Sequence, residues 1–288
     1  MAFSQQLFTV ITMPELPEVE TVVRGLREKL LGKKLLTLEP LHPRAFHSDL
    51  NPLDKELLLG KKVSQIHRRG KYIWIEFNSP IALITHLGMS GQYLFPNKSN
   101  LPTNHVRAEF TFHSDLKLVF NDQRTFGWIG FDKIDPISLI PTHLHKVALD
   151  IFDANFNKKE VSNRYTASSA KIKHLLLNQE IMSGVGNIYA DEALWFSKIH
   201  PDRKGNSLSK IEFNSLLSQL RKIFAKAISL GGTTFDTQYL ATDGSMGKGA
   251  VNIKIYGREN LPCFRCGNLI ERINFGLRYT RFCPICQQ

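Results

Sequence analysis

Four cysteines near the C-terminal end constrain the fold of this chain more than any other feature. They form two pairs, Cys263-x2-Cys266 and Cys283-x2-Cys286, and sixteen residues separate the pairs. Each pair can bind a tetrahedral Zn²⁺ from a tight turn, and the spacer is long enough for a β-hairpin. Disulfides or free thiols are the alternatives. We predict one structural Zn²⁺, since four thiolates leave no open position for a catalytic water.

The charge of the chain indicates a polyanionic partner. Lys and Arg exceed Asp and Glu by 11, which favours nucleic acid or an anionic membrane surface, although a merely basic protein has the same balance. From residue 250 onward six basic residues stand against two acidic ones, a balance typical of a nucleic-acid finger. Arg278 falls near the predicted hairpin tip, where a guanidinium can bind phosphates or enter the minor groove.

The location of the protein follows from what the sequence lacks. No segment is apolar for long enough to cross a bilayer, so we expect no membrane partner. Residues 1–12 contain no Lys or Arg and lack the pattern of a secretory signal. We therefore expect the protein in the cytoplasm, and the compact cysteine set agrees with that location.

Residues 13–20, MPELPEVE, open an amphipathic helix whose apolar residues recur at helical spacing. Helix formation does not explain Pro14 and Glu15, which precede the helix. A proline that begins a chain carries a free secondary amine, which can attack a carbon and form an iminium. An adjacent carboxylate can move the protons that such a reaction requires. An ordinary helix start is the alternative interpretation of this stretch.

Two further stretches are suited to anion binding. Residues 67–71, HRRGK, form a cationic turn between two alternating strands, either a solvated hairpin or a phosphate contact. Residues 184–192, GVGNIYADE, expose backbone N–H groups and an amide between helices, which bind an anion unless they only cap a helix. Strands are predicted before a change in composition near residue 140, and helices are predicted from residue 168 onward, followed by a mobile loop over residues 233–251. The fold class is therefore α+β.

Together these segments resemble the formamidopyrimidine-DNA glycosylases, the Fpg/MutM family. The resemblance runs from residue 13 to residue 288 and includes residues 86–91 (HLGMSG), residues 256–258 (YGR) and the cysteine finger. It implies an N-terminal β-sandwich with flanking helices, a helix–two-turn–helix region and a C-terminal β-hairpin zinc finger. The implied divisions are an extension absent from the mature protein (1–13), a catalytic domain (14–145) and a linker (146–163). The helical region with a lesion-reading loop (164–256) and the finger (257–288) follow.

The chemistry that the resemblance implies is that of a bifunctional DNA glycosylase and AP lyase. Such an enzyme removes oxidised purines, for example 8-oxoguanine and formamidopyrimidines, in base excision repair. Pro14 would be the nucleophile at C1′, Glu15 the general acid–base partner and Glu18 a supporting residue. The Schiff base at Pro14 would lead to β- and then δ-elimination.

Seven DNA-contacting side chains are implied by the same resemblance. The four that bind phosphates are Lys71, His86, Asn187 and Arg278. The three that enter the duplex and fill the space left by the flipped base are Met89, Arg124 and Phe126. Lys71 also belongs to the catalytic group. A hole arises because a stacked base must be flipped out before C1′ can be attacked. The implied partner is damaged double-stranded DNA, bound by a monomer in a bacterial cytoplasm and so associated with the nucleoid.

Three departures from the family leave alternatives open. Thr125 stands where a basic residue is common, Tyr279 where glycine is common, and residues 244–250 lack the Phe-Gln pair of the lesion-reading loop. The sister, endonuclease VIII-like branch removes oxidised pyrimidines but typically has Gly in place of Leu16. If Pro14 is never freed, the chain is a non-catalytic zinc-dependent DNA-binding protein. We expect the active protein to begin at Pro14, by initiation at Met13 or by trimming.

Overall fold

Eight strands form a sandwich in the N-terminal half. The computed structural model describes residues 13–47, 52–96, 104–232, 242 and 253–288. In chain order the strands β1 to β8 are Leu35–Pro40, Val63–Arg69, Tyr72–Phe77, Ile81–His86, Gly91–Leu94, Val106–Phe112, Leu116–Asp122 and Trp128–Lys133. They make two antiparallel sheets, ordered β1-β6-β7-β5 and β2-β3-β4-β8. Alternate side chains of both sheets share one buried core, so the predicted β-sandwich is confirmed.

Helix α1, Leu16–Leu30, joins this sandwich to the rest of the molecule. Pro17 lies in its first turn, where the missing N–H costs no hydrogen bond. Its apolar stripe, from Val19 to Leu30, is fully buried against the sandwich core. The helix ends before Gly32, whose φ of +75° favours glycine. The predicted amphipathic helix is therefore present.

Four further α-helices make a second core after the sandwich: Lys158–Thr166 (α2), Ile172–Leu177 (α3), Asn187–Ser197 (α4) and Lys210–Ser229 (α5). Ser209 caps α5 by accepting the Glu212 N–H at 3.2 Å. Helix α2 begins inside the stretch predicted as a linker, and only Val161 and Tyr165 of it are buried. Short 3-10 helices occur at Pro43–Ala45, Pro52–Leu57, Thr142–Leu144 and Gly205–Ser207.

The last two strands form the predicted hairpin, with β9 at Glu271–Phe275 and β10 at Arg278–Phe282. A buried ion pair connects this hairpin to the helical region. Lys173 Nζ lies 2.6 Å from Asp191 Oδ1 and also donates to the Thr280 hydroxyl, while the Arg281 N–H donates to Asp191 Oδ2 at 3.1 Å. The finger is therefore held at a fixed place on the helices, and the α+β class is confirmed.

Two predictions fall on residues that the structure does not describe. The extension before Met13 and the loop over residues 233–251, with Thr242 excepted, lie outside the described residues. Within the part of the chain that is described, no helix combines the length and apolarity needed to span a bilayer.

Candidate active site and nucleic-acid interface

The start of α4 binds an internal carboxylate, that of Glu15. The Gly186 N–H donates to Glu15 Oε2 at 2.6 Å, the Ile188 N–H to Oε1 at 2.8 Å, and the Tyr189 N–H to Oε2 at 3.4 Å. A Cβ at Gly186 would lie 2.4 Å from the Glu15 carboxyl carbon, so this approach requires glycine. The anion that the sequence predicts for residues 184–192 is thus supplied by the protein itself.

Burial raises the pKa of Glu15 to about 7, since the side chain is only 2% exposed. The positive charge of Lys71 lowers the pKa of Glu15, the negative charge of Glu18 raises it, and the two shorter backbone hydrogen bonds lower it. Glu18 is itself fixed, because its Oε2 accepts the Glu15 N–H at 2.9 Å and its Oε1 accepts the Tyr189 hydroxyl at 2.7 Å. Glu15 can therefore hold or release a proton near neutral pH, as a general acid or base must.

A cleft of about 330 Å³ lies over Glu15. Its walls come from the sandwich, α4 and the hairpin turn, and its lining residues are Met13, Glu15, Lys71, Met89, Gly186, Asn187, Ile188, Tyr256, Leu277 and Arg278. Pro14 is buried, and its two neighbours in the chain, Met13 and Glu15, both line this cleft. The cleft thus brings together five of the predicted site residues: Glu15, Lys71, Met89, Asn187 and Arg278.

Lys71 reaches the cleft from the tight turn between β2 and β3. Asp150 holds this turn, because its Oδ2 accepts the Gly70 N–H at 3.3 Å and its two oxygens bind the Arg68 guanidinium at 2.7 and 3.2 Å. Arg68 also donates to Glu20 at 3.0 Å, so this cation is paired inside the protein. Burial lowers the pKa of Lys71, the charge of Glu15 opposes that change, and the charge of Arg278 adds to it.

Comparison with known proteins identifies the family. The family described as "Formamidopyrimidine-DNA glycosylase N-terminal domain" matches residues 13–129, its H2TH domain matches residues 147–239, and a zinc finger found in FPG and IleRS matches residues 260–288. The chain belongs to the formamidopyrimidine-DNA glycosylase family. Members of this family are enzymes of base excision repair, and this chain is a DNA glycosylase.

Relatives of this glycosylase match it along almost its whole length. The formamidopyrimidine-DNA glycosylase of Acidothermus cellulolyticus is 41% identical over 278 residues, which cover 96% of this chain and 97% of the relative. The wild-type Lactococcus lactis Fpg (MutM) with N7-benzyl-Fapy-dG DNA is 36% identical, with a TM-score of 0.85, 96% of this chain and 100% of that chain covered. The same Lactococcus protein with oxidised-pyrimidine DNA is 35% identical, with a TM-score of 0.84 and the same coverage.

The zinc centre of this glycosylase consists of the four predicted cysteines. One sulfur from each lies within 4.8 Å of the others: Cys263, Cys266, Cys283 and Cys286. The Cys266 and Cys283 sulfurs are 3.5 Å apart, too far for a disulfide of about 2.05 Å but close to the edge of about 3.8 Å in a tetrahedral zinc–thiolate site. The Trp195 indole N–H donates to the Cys263 sulfur at 3.3 Å, a hydrogen bond that stabilises a thiolate ligand. The cofactor is therefore one structural Zn²⁺.

His86 lies at the end of β4, beside the Lys71 turn. Its Nδ1 accepts the Gly88 N–H at 3.1 Å, so the proton of the neutral ring is on Nε2. Burial lowers the pKa of His86 to about 4, and the charge of Lys71 adds to the effect. His86 is therefore a neutral donor at physiological pH, which suits a hydrogen bond to a phosphate oxygen.

The three predicted duplex-entering residues lie on two neighbouring loops. Met89 is half-buried between β4 and β5, while Arg124 and Phe126 lie between β7 and β8. Phe126 is 61% exposed, an unusual position for a large apolar side chain in a soluble protein. The structure therefore brings the three residues to one side of the sandwich, and their role stays a prediction.

The hairpin turn carries Arg278 and a residue that the sequence analysis missed. Leu277 is fully exposed next to Arg278, and both side chains line the cleft. Only the register of the hairpin reveals this position, because an isolated leucine gives no such signal. The Asn187 amide donates to the Tyr279 carbonyl at 3.1 Å, so it bridges α4 to the hairpin. Asp150 and Arg68, which fix the Lys71 turn, were also missed.

Proposed function

We propose that this glycosylase is bifunctional: it removes an oxidised purine and then cleaves the DNA strand as an AP lyase. The observation that supports this proposal most directly is the position of Glu15. A buried carboxyl with a pKa near 7 follows Pro14 in the chain and lines a cleft of about 330 Å³. A secondary amine and a proton carrier at one site are the two groups that Schiff-base chemistry needs.

The first step is displacement of the damaged base. The Pro14 nitrogen forms a bond to C1′, and the base leaves with the electron pair of the glycosidic bond. Loss of the amine proton and opening of the C1′–O4′ bond give the iminium, and Glu15 can supply the proton that O4′ takes up. The Glu15 carboxylate can then accept a C2′ proton, which starts β-elimination of the 3′ phosphate. δ-Elimination of the 5′ phosphate follows and leaves a one-nucleotide gap.

The DNA contacts that we propose surround this cleft. Lys71, His86, Asn187 and Arg278 grip phosphates beside the lesion, and their cationic and neutral donors suit oxygen acceptors. Flipping a nucleotide costs a few kcal/mol, which side chains inserted into the stack offset in part. Met89, Arg124 and Phe126 take that place on the neighbouring loops. The bound zinc supplies no chemistry, since Cys263, Cys266, Cys283 and Cys286 fill its coordination and fold the hairpin that carries Arg278.

The N-terminus decides whether the nucleophile exists. A proline nitrogen acylated by Met13 is an amide and has no usable lone pair, so the proposed chemistry requires a chain that begins at Pro14. We propose that this is the active form, a monomer that works on double-stranded DNA in the cytoplasm. The matched relatives are bacterial, which supports association with a bacterial nucleoid.

Borohydride trapping tests the nucleophile. A chain beginning at Pro14, with its terminus confirmed by mass spectrometry, should form a covalent adduct with an 8-oxoguanine:cytosine duplex when sodium borohydride is added. A chain kept intact from Met1 is the matched control and should form none. Absence of adduct from the Pro14 chain would favour a non-catalytic zinc-dependent DNA-binding protein. Equal adduct from the intact chain would remove Pro14 from the mechanism.

The purine preference rests on Leu16. Leu16 is fully buried, and a Cβ at Gly184 would lie 2.7 Å from its Cδ1, so the two residues pack directly. The endonuclease VIII-like branch typically has glycine in place of this leucine. Because the Lactococcus relative has been crystallised with both kinds of damage, the preference needs a direct comparison. We expect faster cleavage of an 8-oxoguanine:cytosine duplex than of a thymine-glycol duplex, and the reverse order would favour the pyrimidine branch.

A further inference from the structure

The two loops that carry Met89, Arg124 and Phe126 are joined by residues that the proposed mechanism does not use. Strand β5 follows the first loop, β7 precedes the second, and these strands pair with Gly91 opposite Asp122. We infer that Asp122 and Ser90 are positioning residues that hold both loops as one rigid wedge for entry into the duplex. This inference rests on the proposed function, because the wedge matters only if a nucleotide is flipped.

Asp122 connects the loops through its two carboxylate oxygens. It is fully buried, its Oδ2 accepts the Gly127 N–H at 2.7 Å, and its Oδ1 accepts both the Ser90 hydroxyl and the Arg124 N–H, the latter at 3.2 Å. The Arg124 N–H also donates to Ser90 Oγ at 3.0 Å. One buried carboxylate and one hydroxyl therefore fix the backbone on both sides of Arg124 and beside Met89. Such a closed network rigidifies what it joins.

Backbone packing brings the loops into direct contact. A Cβ at Gly88 would lie 2.3 Å from the Phe126 carbonyl carbon, and a Cβ at Gly127 would lie 2.8 Å from the Leu87 carbonyl oxygen. Thr125, between Arg124 and Phe126, has a φ of +57°, which a non-glycine residue adopts only when its surroundings impose it. The Asp122–Ser90 network is the polar part of those surroundings.

Rigid loops make it easier for Met89, Arg124 and Phe126 to enter the duplex. A side chain that enters the base stack must offset the unstacking cost, and ordering a mobile loop at the same moment would add to that cost. Loops that are already fixed avoid the second cost, which is the general advantage of preorganisation. Asp122→Asn replaces one acceptor oxygen by an NH2 group, so either the Gly127 N–H or the Ser90 side of the network loses its partner. Ser90→Ala removes the hydroxyl that Arg124 shares.

The experiment compares two substrates that differ in whether a duplex must be opened. Asp122→Asn and Ser90→Ala, each beginning at Pro14, would be assayed on an 8-oxoguanine:cytosine duplex and on a single-stranded abasic oligonucleotide. Ser197→Ala is the matched control, since its hydroxyl is buried without a hydrogen-bond partner among the described residues. Wedge entry would be followed by the fluorescence of 2-aminopurine placed opposite a tetrahydrofuran site in a duplex.

In Asp122→Asn and Ser90→Ala we expect the rate on the duplex to fall about tenfold, which is equivalent to about 1.4 kcal/mol. The loss should appear in kcat rather than in KM, and the rate on the single-stranded substrate should be unchanged. The fluorescence rise should shrink in both variants and not in Ser197→Ala. Equal losses on the two substrates, or no loss on the duplex, would overturn the inference.

If Asp122→Asn does not fold, Ser90→Ala decides the question. If the unsubstituted protein cleaves neither substrate, the proposed function has failed, and the fluorescence comparison still decides whether Asp122 and Ser90 position the loops.

Discussion

Two buried glutamates, one bound at the start of α4 and one within it, show why a raised pKa does not by itself identify a catalytic acid. Burial raises the pKa of Glu15 and of Glu192 to about 7. Glu15 accepts backbone N–H groups from the start of α4. Glu192, within α4, accepts them from Lys254, Ile255 and Tyr256 at 3.1 Å or less. Burial raises the pKa of both carboxyls, and backbone N–H groups lower the pKa of both.

What surrounds the two carboxyls differs. Glu15 follows Pro14, the proposed nucleophile, in the chain and lines a cleft together with the cation of Lys71, so a substrate can reach this carboxyl. Glu192 holds the segment that leads into the zinc finger and lines a separate cavity of about 280 Å³, whose cations Lys222, Lys226 and Lys254 accompany apolar side chains. We therefore assign proton transfer to Glu15 and backbone anchoring to Glu192. The two roles differ because a substrate can reach Glu15 and because Lys71 and Pro14 lie near Glu15, whereas Glu192 lines a different cavity.

The largest effect that we expect comes from Glu15→Gln. The substitution preserves the size of the side chain but removes the proton that is exchanged with the substrate, a contribution worth about 10²–10⁴-fold in rate. Single-turnover cleavage of an 8-oxoguanine duplex should fall by that amount. Glu192→Gln is the control and should leave the rate unchanged. A comparable loss in Glu192→Gln would mean that the two carboxyls cannot be separated by their surroundings.

The pH dependence of the rate sharpens the same contrast. A step that uses the protonated Glu15 carboxyl is fully supported below its pKa of about 7 and falls as the pH rises above that value. The residual rate of Glu15→Gln should lack this alkaline decline, while Glu192→Gln should keep it. A decline that survives in Glu15→Gln would assign the ionisation to another group.

The next effect concerns stability. The pKa of Glu192 is about 7 when folded against an ordinary value of 4.5, so the folded state binds more protons between those pH values. The free energy of unfolding therefore decreases as the pH rises through this window, by about 3 kcal/mol for Glu192. Glu192→Gln should remove that part of the pH dependence, as measured by urea unfolding at about pH 5 and about pH 7.5. An unchanged pH dependence would show that burial does not penalise this carboxylate.

The sequence could predict features that depend on local pattern. Zinc ligation by Cys263 to Cys286 follows from spacing, and α1 follows from helical periodicity. The occupant of the α4 start could not be predicted, because Glu15 and Gly186 are 171 residues apart and only the tertiary fold brings them together. The internal ion pairs of Arg68 could not be predicted either, because no local signal places Asp150 and Glu20 beside it. Helix α2 was missed because its exposed faces are polar and only two of its side chains are buried.

The smallest effect that we expect lies on the hairpin that follows the Glu192 anchor. Arg278 is exposed at the turn, and within the described part of the chain its guanidinium makes no ion pair, which leaves it available to a phosphate. Arg272, on the paired strand, is bound to Glu259 at 3.2 Å and stacks on the Tyr279 ring at 4.3 Å. Because each neutralised phosphate contributes about −0.9 to the slope of log K against log salt, Arg278→Ala should flatten that slope by about one.

The matched variant for this measurement is Arg272→Ala, which removes the same charge from the same hairpin. Its slope should equal that of the unsubstituted protein, because a cation already paired with Glu259 releases no counterion when DNA binds. Titrations of a tetrahydrofuran duplex over a range of salt concentrations would give both slopes without any chemistry. Equal slopes for the two variants would mean that net charge, rather than the position of Arg278 at the cleft, determines its contribution.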